Sequence, residues 1–306
     1  MLRACGHQIT SSSSCYPPIK TSLQSPLIKS TNNTHTHGSP PQAGAERPDK
    51  REQDPEPRRY VVRFWIHVHC SALDDNNEKK EIMSKEDRMD TWQERWSQGK
   101  TGWQLPDLNF ALENHASKLL PKPERRILVP LCGKSVDVEW LYREGHTVVG
   151  IEGIEQAIVE FFSEHNLPYS TEQLTWAKVF KTEDDRLKMY CCDIFKMDIE
   201  NLGKFDSIWD RGSLVAIYEE DRERYAKVIK ALLAPDFHYM INATQYTPHE
   251  GFSGPPRNIP TALVEKLFGD VCELQVLEER TRSKEAVAHW GLDDFVEAVL
   301  LLTPQS

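Results

Sequence analysis

Residues 126–152 read RILVPLCGKSVDVEWLYREGHTVVGIE, and this stretch decides the architecture. RILVPL (126–131) is a short, mostly apolar run with Pro and charge before it, the pattern of a buried strand. A tight CGK turn follows, then SVDVEWLYREG (135–145), whose apolar residues recur at helical spacing. HTVVGIE (146–152) is a second apolar run. Strand, helix and strand in immediate succession form a crossover unit, which joins parallel strands.

The same rhythm extends in both directions. Upstream, DRMDTWQERWSQ (87–98) suits a helix stopped by Gly99, and residues 107–120 suit a second one ended by Pro121 and Pro123. Downstream come the helix EQAIVEFFSEHN (155–166), a third strand LKMYCCDIF (187–195) and a fourth, FDSIWD (205–210). The helix DRERYAKVIKALLA (221–234) precedes a fifth strand, HYMINATQ (238–245), and TALVEKLFG (261–269) is a further helix. CELQVLEER (272–280) and AVLLLT (298–303) read as an antiparallel pair closing the sheet. The pattern predicts one α/β domain over residues 84–306, Rossmann-like, with a mostly parallel seven-stranded sheet and helices on both faces.

Residues 1–83 read as a low-complexity, disordered N-terminal extension. SSSS at 11–14 and a Pro- and charge-rich stretch from Gly38 to Arg59 offer too little apolar surface to offset chain entropy. The first acidic residue is Glu46, and a Ser-rich, acid-poor start admits a mitochondrial transit peptide beside the plainer reading of a tail. YVVRFWIHVHC (60–70) is an isolated apolar patch that fits either an added strand or a segment without a structural role, and DDNNEKKE (74–81) reads as a solvated linker. His67, His69 and Cys70 have no second ligand pair at a zinc-site distance, so no metal is expected.

The chain has 37 Lys+Arg against 47 Asp+Glu; 11 and 9 of these fall in the first 83 residues, which leaves 26 against 38, a net of −12, on the rest. An acidic domain is a poor partner for a phosphate backbone, which is bound through Lys and Arg, and no nucleic-acid partner is expected. No run approaches the roughly 18 apolar residues of a membrane helix, so no membrane partner is expected either. Seven cysteines without any C-x-x-C and without a signal peptide suggest a reducing compartment, the cytoplasm, and a monomer is expected.

In an open parallel sheet, ligands bind at the carboxyl ends of the strands where the strand order reverses. The turn after the first strand, Leu131-Cys132-Gly133-Lys134-Ser135, has one glycine and neither G-x-G-x-x-G nor a P-loop, so it is not built to approach phosphates. A phosphate-free cofactor such as S-adenosylmethionine (SAM) relaxes that demand. Glu152 ends the second strand, 19 positions beyond Gly133, where a carboxylate accepts hydrogen bonds from two ribose hydroxyls. Asp193, at the end of the third strand, either borders an adenine with Ile194 stacking on it or is a surface turn residue. Asp210-Arg211-Gly212 follows the fourth strand, and an arginine there suits an anion, or else bridges two loops. Trp92 and Trp96 share a helix face and Trp103 follows closely; they pack into the core, or they cover a sulfonium through cation–π attraction.

Residues 91–306, about 70% of the chain, resemble the thiopurine S-methyltransferase family. The resemblance rests on TWQERWSQGKT (91–101), VPLCGKSVDVEWL (129–141), GHTVVGIEG (145–153), KVFK (178–181), YCCDIF (190–195), GKFDSIWDRGSLVAI (203–217), GPP (254–256), LFG (267–269) and HWG (289–291). PLCGK followed by IWDRG is specific to it. The resemblance implies a class I SAM-dependent methyltransferase in which the segment from Trp92 to Trp103 contributes to the SAM site. It also implies that Leu131, Glu152, Ile194 and Arg211 contact cofactor or substrate, with Trp103 in the place of an aromatic that faces the substrate. Two departures concern the acceptor pocket. The ungapped match to a family arginine before Trp-Gly is Ala286, with Arg282 and Lys284 nearby, and GPP continues with Arg257-Asn258 where aromatics can occur.

The expected reaction is in-line transfer of a methyl group from SAM to the thiolate of a small aromatic or heterocyclic thiol. Such thiols ionise readily, so alignment of the two centres counts for more than a protein base. Arg211 is expected to hold the thiolate, and Asp210 to orient Arg211 or take up a proton through water. Cys191 and Cys192, on a buried strand, are not expected to be nucleophiles. The same cofactor site also suits methylation of halide, thiocyanate or selenium acceptors, or a SAM-binding protein with a decayed pocket.

Overall fold

The computed structural model describes residues 85–305. The expected N-terminal extension, the 60–70 patch with its His67/His69/Cys70 cluster, and the 74–81 linker lie outside these residues.

Nine strands form one sheet: β1 (Arg126–Val129), β2 (Thr147–Glu152), β3 (Ser170–Gln173), β4 (Lys178–Lys181), β5 (Leu187–Cys191), β6 (Phe205–Arg211), β7 (Leu233–Gln245), β8 (Cys272–Thr281) and β9 (Val296–Pro304). Their order is β3-β4-β5-β2-β1-β6-β7-β9-β8. The central five, β5, β2, β1, β6 and β7, are parallel, and each edge is antiparallel. This corrects the expected seven strands. The two additional ones are β3 and β4, a hairpin extending the β5 edge; β3 is STEQ, exposed along its length, and carries no apolar alternation that would announce a strand. The expected β8/β9 antiparallel pair is present at the other edge.

The α-helices of the described residues are α1 (Lys85–Ser97), α2 (Phe110–Leu119), α3 (Val136–Arg143), α4 (Glu155–Glu164), α5 (Ile199–Leu202), α6 (Arg222–Leu232), α7 (Thr261–Phe268) and α8 (Lys284–Val287). Alternation along the strands divides the apolar side chains between two layers. Ile127 and Val129 of β1, with Trp209 of β6, meet Leu112 of α2, Leu141 of α3 and Phe161 of α4. Leu128, Ile208 and Ile241 point the other way, to Tyr225 and Ile229 of α6 and Phe268 of α7. Helices therefore cover both faces, and the carboxyl ends of the five parallel strands emerge at one edge. Among the described residues no helix is long and apolar enough to cross a membrane.

Candidate cofactor and acceptor site

From β1 the chain runs outward through β2 to β5, then returns to place β6 on the other side of β1. The reversal between β1 and β6 is the switch point at which such sheets bind ligands. Around it lie the turn after β1, the last residue of β2, the turn after β5 and the last residue of β6.

The turn after β1 is held by Glu152. Its Oε2 accepts the Gly133 N–H at 2.8 Å, and its Oε1 accepts the Ile154 N–H at 2.9 Å. Glu152 is only 8% exposed. Burial pushes its carboxyl above the ordinary carboxylate range, against the opposing pull of these backbone donors. Leu131 and Gly133 both take left-handed backbone conformations, φ 44° and 54°, strained for the leucine and natural for the glycine. A Cβ on Gly133 would also stand 2.2 Å from Nε2 of Gln104, so the turn is closed from above by the 101–106 segment. Lys134 is directed away: its Nζ donates to Glu160 at 2.8 Å and Glu164 at 2.6 Å on α4.

β5 ends at Cys191, so Asp193 and Ile194 sit in the following turn and not at a strand end as expected. Asp193 Oδ1 accepts the Phe195 N–H at 2.9 Å, a side-chain-closed turn that fixes this segment. Ile194 is buried in the same layer as Ile151 and Leu128. Burial raises the thiols of Cys191 and Cys192, to about 11 and about 12, which leaves them protonated at neutral pH.

Asp210 and Arg211 are consecutive on β6 and so face opposite sides of the sheet. The structure corrects the expected role of Asp210. Its Oδ2 accepts hydrogen bonds from the hydroxyls of Tyr225 and Tyr239, each at 2.7 Å, and its Oδ1 accepts the Leu214 N–H at 2.9 Å. Buried at 1% exposure and committed to three donors, it orients the end of β6 and the 214–216 turn, not the Arg211 guanidinium. Arg211 is half-buried on the α2 side, and no hydrogen bond or ion pair holds its guanidinium among the described residues. Burial lowers its pKa, while the charges of Asp137 and Glu297 favour the cation.

Trp96 is buried against Ile154 and Ala157 at the start of α4, with Trp92 and Trp103 partly buried beside it. Trp103 meets Trp92 and Trp96 edge-on, with centroids 5.2 and 6.1 Å away. The three indoles thus pack around the segment that follows Glu152: Trp96 is core, while Trp92 and Trp103 keep exposed surface.

Sequence reasoning missed the polar network beside Arg211. Asp137 accepts the Asn109 N–H at 2.9 Å and the Trp209 indole N–H at 2.9 Å, and Asn242 donates to Asn109 Oδ1 at 3.3 Å. Buried Asp and Asn in apolar surroundings are the available signal: VDVEWL places Asp137 where the helical period calls for an apolar residue, and MINAT places Asn242 where strand alternation does. Of the two basic residues near Ala286, Arg282 donates to Glu297 at 2.5 Å and Lys284 lies 3.6 Å from Asp293, and both are exposed. Arg257 is buried, donates to the Ala216 carbonyl at 2.8 Å and stacks on the Tyr218 ring 3.9 Å from its centroid.

Residues 87–305 match the family model described as Thiopurine S-methyltransferase. The chain belongs to the thiopurine S-methyltransferase family. It is 39% identical over 240 residues to the thiopurine S-methyltransferase of Bos taurus, covering 76% of this chain and 97% of that protein. To that of Rattus norvegicus it is 42% identical over 219 residues, 70% of this chain and 91% of the relative. Among solved structures, the 1,6-didemethyltoxoflavin-N1-methyltransferase of Burkholderia thailandensis superposes with a TM-score of 0.48 at 15% identity, covering 71% of this chain and 87% of that one. Thiopurine S-methyltransferase similarity thus begins on α1, two residues after the first described residue, and takes in the indole cluster as well as the sheet.

Proposed function

We propose that this chain methylates the sulfur of small aromatic and heterocyclic thiols, with SAM as the methyl donor. The family membership supports the reaction class, and the observation that carries the assignment to this site is the guanidinium of Arg211, which makes no ion pair among the described residues, one strand from the Gly133–Glu152 turn. The residues fit the donor. Each oxygen of Glu152 takes one backbone N–H and keeps a lone pair for a ribose hydroxyl, and Trp92 and Trp103 offer aromatic faces to a sulfonium. Leu131, Gly133, Asp193 and Ile194 complete the walls for the adenosyl group. SAM, when bound, supplies an electrophilic methyl group for in-line transfer to a thiolate.

The protein's contribution is alignment and charge. Arg211 holds the acceptor in its thiolate form, half-buried where a charge-assisted contact is stronger than in water. We assign Trp103 to the acceptor side, where the indole cluster would exclude water. Asp210 acts from behind the strand, as a positioning residue. No base is required from the buried thiols. The monomer is the proposed working unit.

The test is to mix purified protein, SAM and thiophenol or 6-mercaptopurine and to follow S-adenosylhomocysteine. Turnover is expected, with Arg211→Ala slowing it at least tenfold while the melting temperature is kept. SAM uptake without turnover of any thiol would sink the proposal.

A further inference from the structure

The network beside Arg211 ends on two groups without partners among the described residues, carried by neighbouring positions of adjacent strands. Arg211 and Asn242 are register partners in the parallel β6–β7 ladder, so their side chains leave the same face one strand spacing apart, about 4.8 Å. That face is the α2 side, marked by Trp209 and Met240 two residues earlier on each strand. Asn242 is 5% exposed, yet its Oδ1 meets no donor among the described residues. The rest of the network is satisfied. Asn242 Nδ2 donates to Asn109 Oδ1, which also accepts the Ala111 N–H at 2.9 Å, and Asn109 N–H and Trp209 Nε1–H occupy the two oxygens of Asp137. This fixes which end of the amide is the oxygen, because Asn109 Oδ1 is an acceptor and must face the Asn242 NH2 group.

A buried carbonyl oxygen without a donor is costly, by roughly the strength of the bond it lacks. The neighbouring guanidinium has five N–H donors and no protein acceptor among the described residues. We propose that Asn242 is a positioning residue for acceptor binding: as the acceptor docks, Arg211 reorients so that Asn242 Oδ1 takes one of its N–H groups and the remaining N–H groups aim at the thiolate. Asn242 is held from the other side by Asn109, the cap of α2, which makes it a fixed post and not a mobile ligand. Asp137 and Glu297 keep Arg211 charged from the flanks without occupying its donors. The inference rests on the reading of Arg211 as the thiolate site.

The experiment measures binding and so does not require fast variants. Calorimetry follows thiophenolate binding to the complex of full-length protein with S-adenosylhomocysteine, for wild type, Asn242→Leu, Arg211→Ala and the double variant. Asn242→Leu is close to isosteric; Asn242→Ala serves if leucine unfolds the protein. The expected result is about tenfold weaker thiolate binding for the Asn242 variant, the cost of one charge-assisted hydrogen bond, with S-adenosylhomocysteine affinity unchanged. In the Arg211→Ala background the Asn242 change should add nothing, since it acts through the guanidinium. An effect below twofold, equal losses for thiolate and S-adenosylhomocysteine, or full additivity of the two substitutions would each overturn the inference. Thiol turnover by wild type, measured in parallel, keeps the two readings apart: its absence removes the function itself, whereas its presence with an indifferent Asn242→Leu removes only this residue's role.

Discussion

Glu152 is the residue on which the cofactor reading turns, and its environment makes that reading measurable. Burial holds its carboxyl above the ordinary carboxylate range, while in the unfolded chain it titrates within that range. A folded pKa above the unfolded one means that the group's stabilising contribution is present below the unfolded value and is lost as pH rises through the folded one. Ribose hydroxyls favour the ionised carboxylate as acceptor, so SAM binding opposes burial and draws the proton off. SAM affinity should therefore weaken as pH falls through the raised value, with proton release visible by calorimetry in buffers of different ionisation enthalpy. Glu152→Gln should flatten that profile and weaken SAM at least tenfold; an unchanged profile would separate Glu152 from the donor. The spacing from Gly133 to Glu152 was legible in the sequence because the first crossover unit fixes both ends of it. Asn109, Asp137 and Asn242 were not, because their partners lie 28 to 133 residues away in the chain and no local pattern links them.

At the scale of elements, Asp210 shows how the end of β6 is built. A carboxylate that receives two tyrosine hydroxyls from α6 and β7 and one backbone N–H ties three elements together. Asp210→Ala should lower stability by on the order of 3 kcal/mol, since buried tyrosine hydroxyls lose a charged acceptor. Thermal melts check this, and a variant melting like wild type would return Asp210 to a role in chemistry. The indole cluster divides in a similar way. Trp96, 3% exposed against α4, should cost about 3–5 kcal/mol as Trp96→Ala. Trp92→Ala, on the same helix but half-buried, should mainly weaken SAM; a larger loss of melting temperature for Trp92 than for Trp96 would reverse the assignment. Sequence periodicity located the strands of the parallel centre because they are apolar on both faces. It missed β3, which is exposed along its length at the edge, and β4, whose two buried residues Val179 and Phe180 are too short an apolar run to announce a strand, and it ran the third strand past Cys191 because Ile194 and Phe195 prolong the apolar run through a turn.

At the scale of the whole molecule, charge poses a question that the fold alone does not. Residues 84–306 carry 26 basic against 38 acidic side chains, so the domain's field repels an anionic thiolate and attracts SAM, whose sulfonium and ammonium outweigh its carboxylate. The proposed contact of half-buried Arg211 with the acceptor would act against that field only at close range, where it is screened little. The approach of each reactant, by contrast, crosses solvent and is screened within a Debye length of about 10 Å at 0.1 M salt. The two substrates should therefore respond to salt in opposite directions. Between 0.01 and 0.15 M, roughly the span over which that length shortens from 30 to 8 Å, kcat/KM for a thiolate should rise and kcat/KM for SAM should fall. Both shifts should survive Asn242→Leu. Steady-state kinetics at constant pH, varying one reactant with the other saturating, measures the pair. Parallel responses would mean that the net charge lies away from the approach to the site, and that Arg211 and its neighbours set the local field on their own.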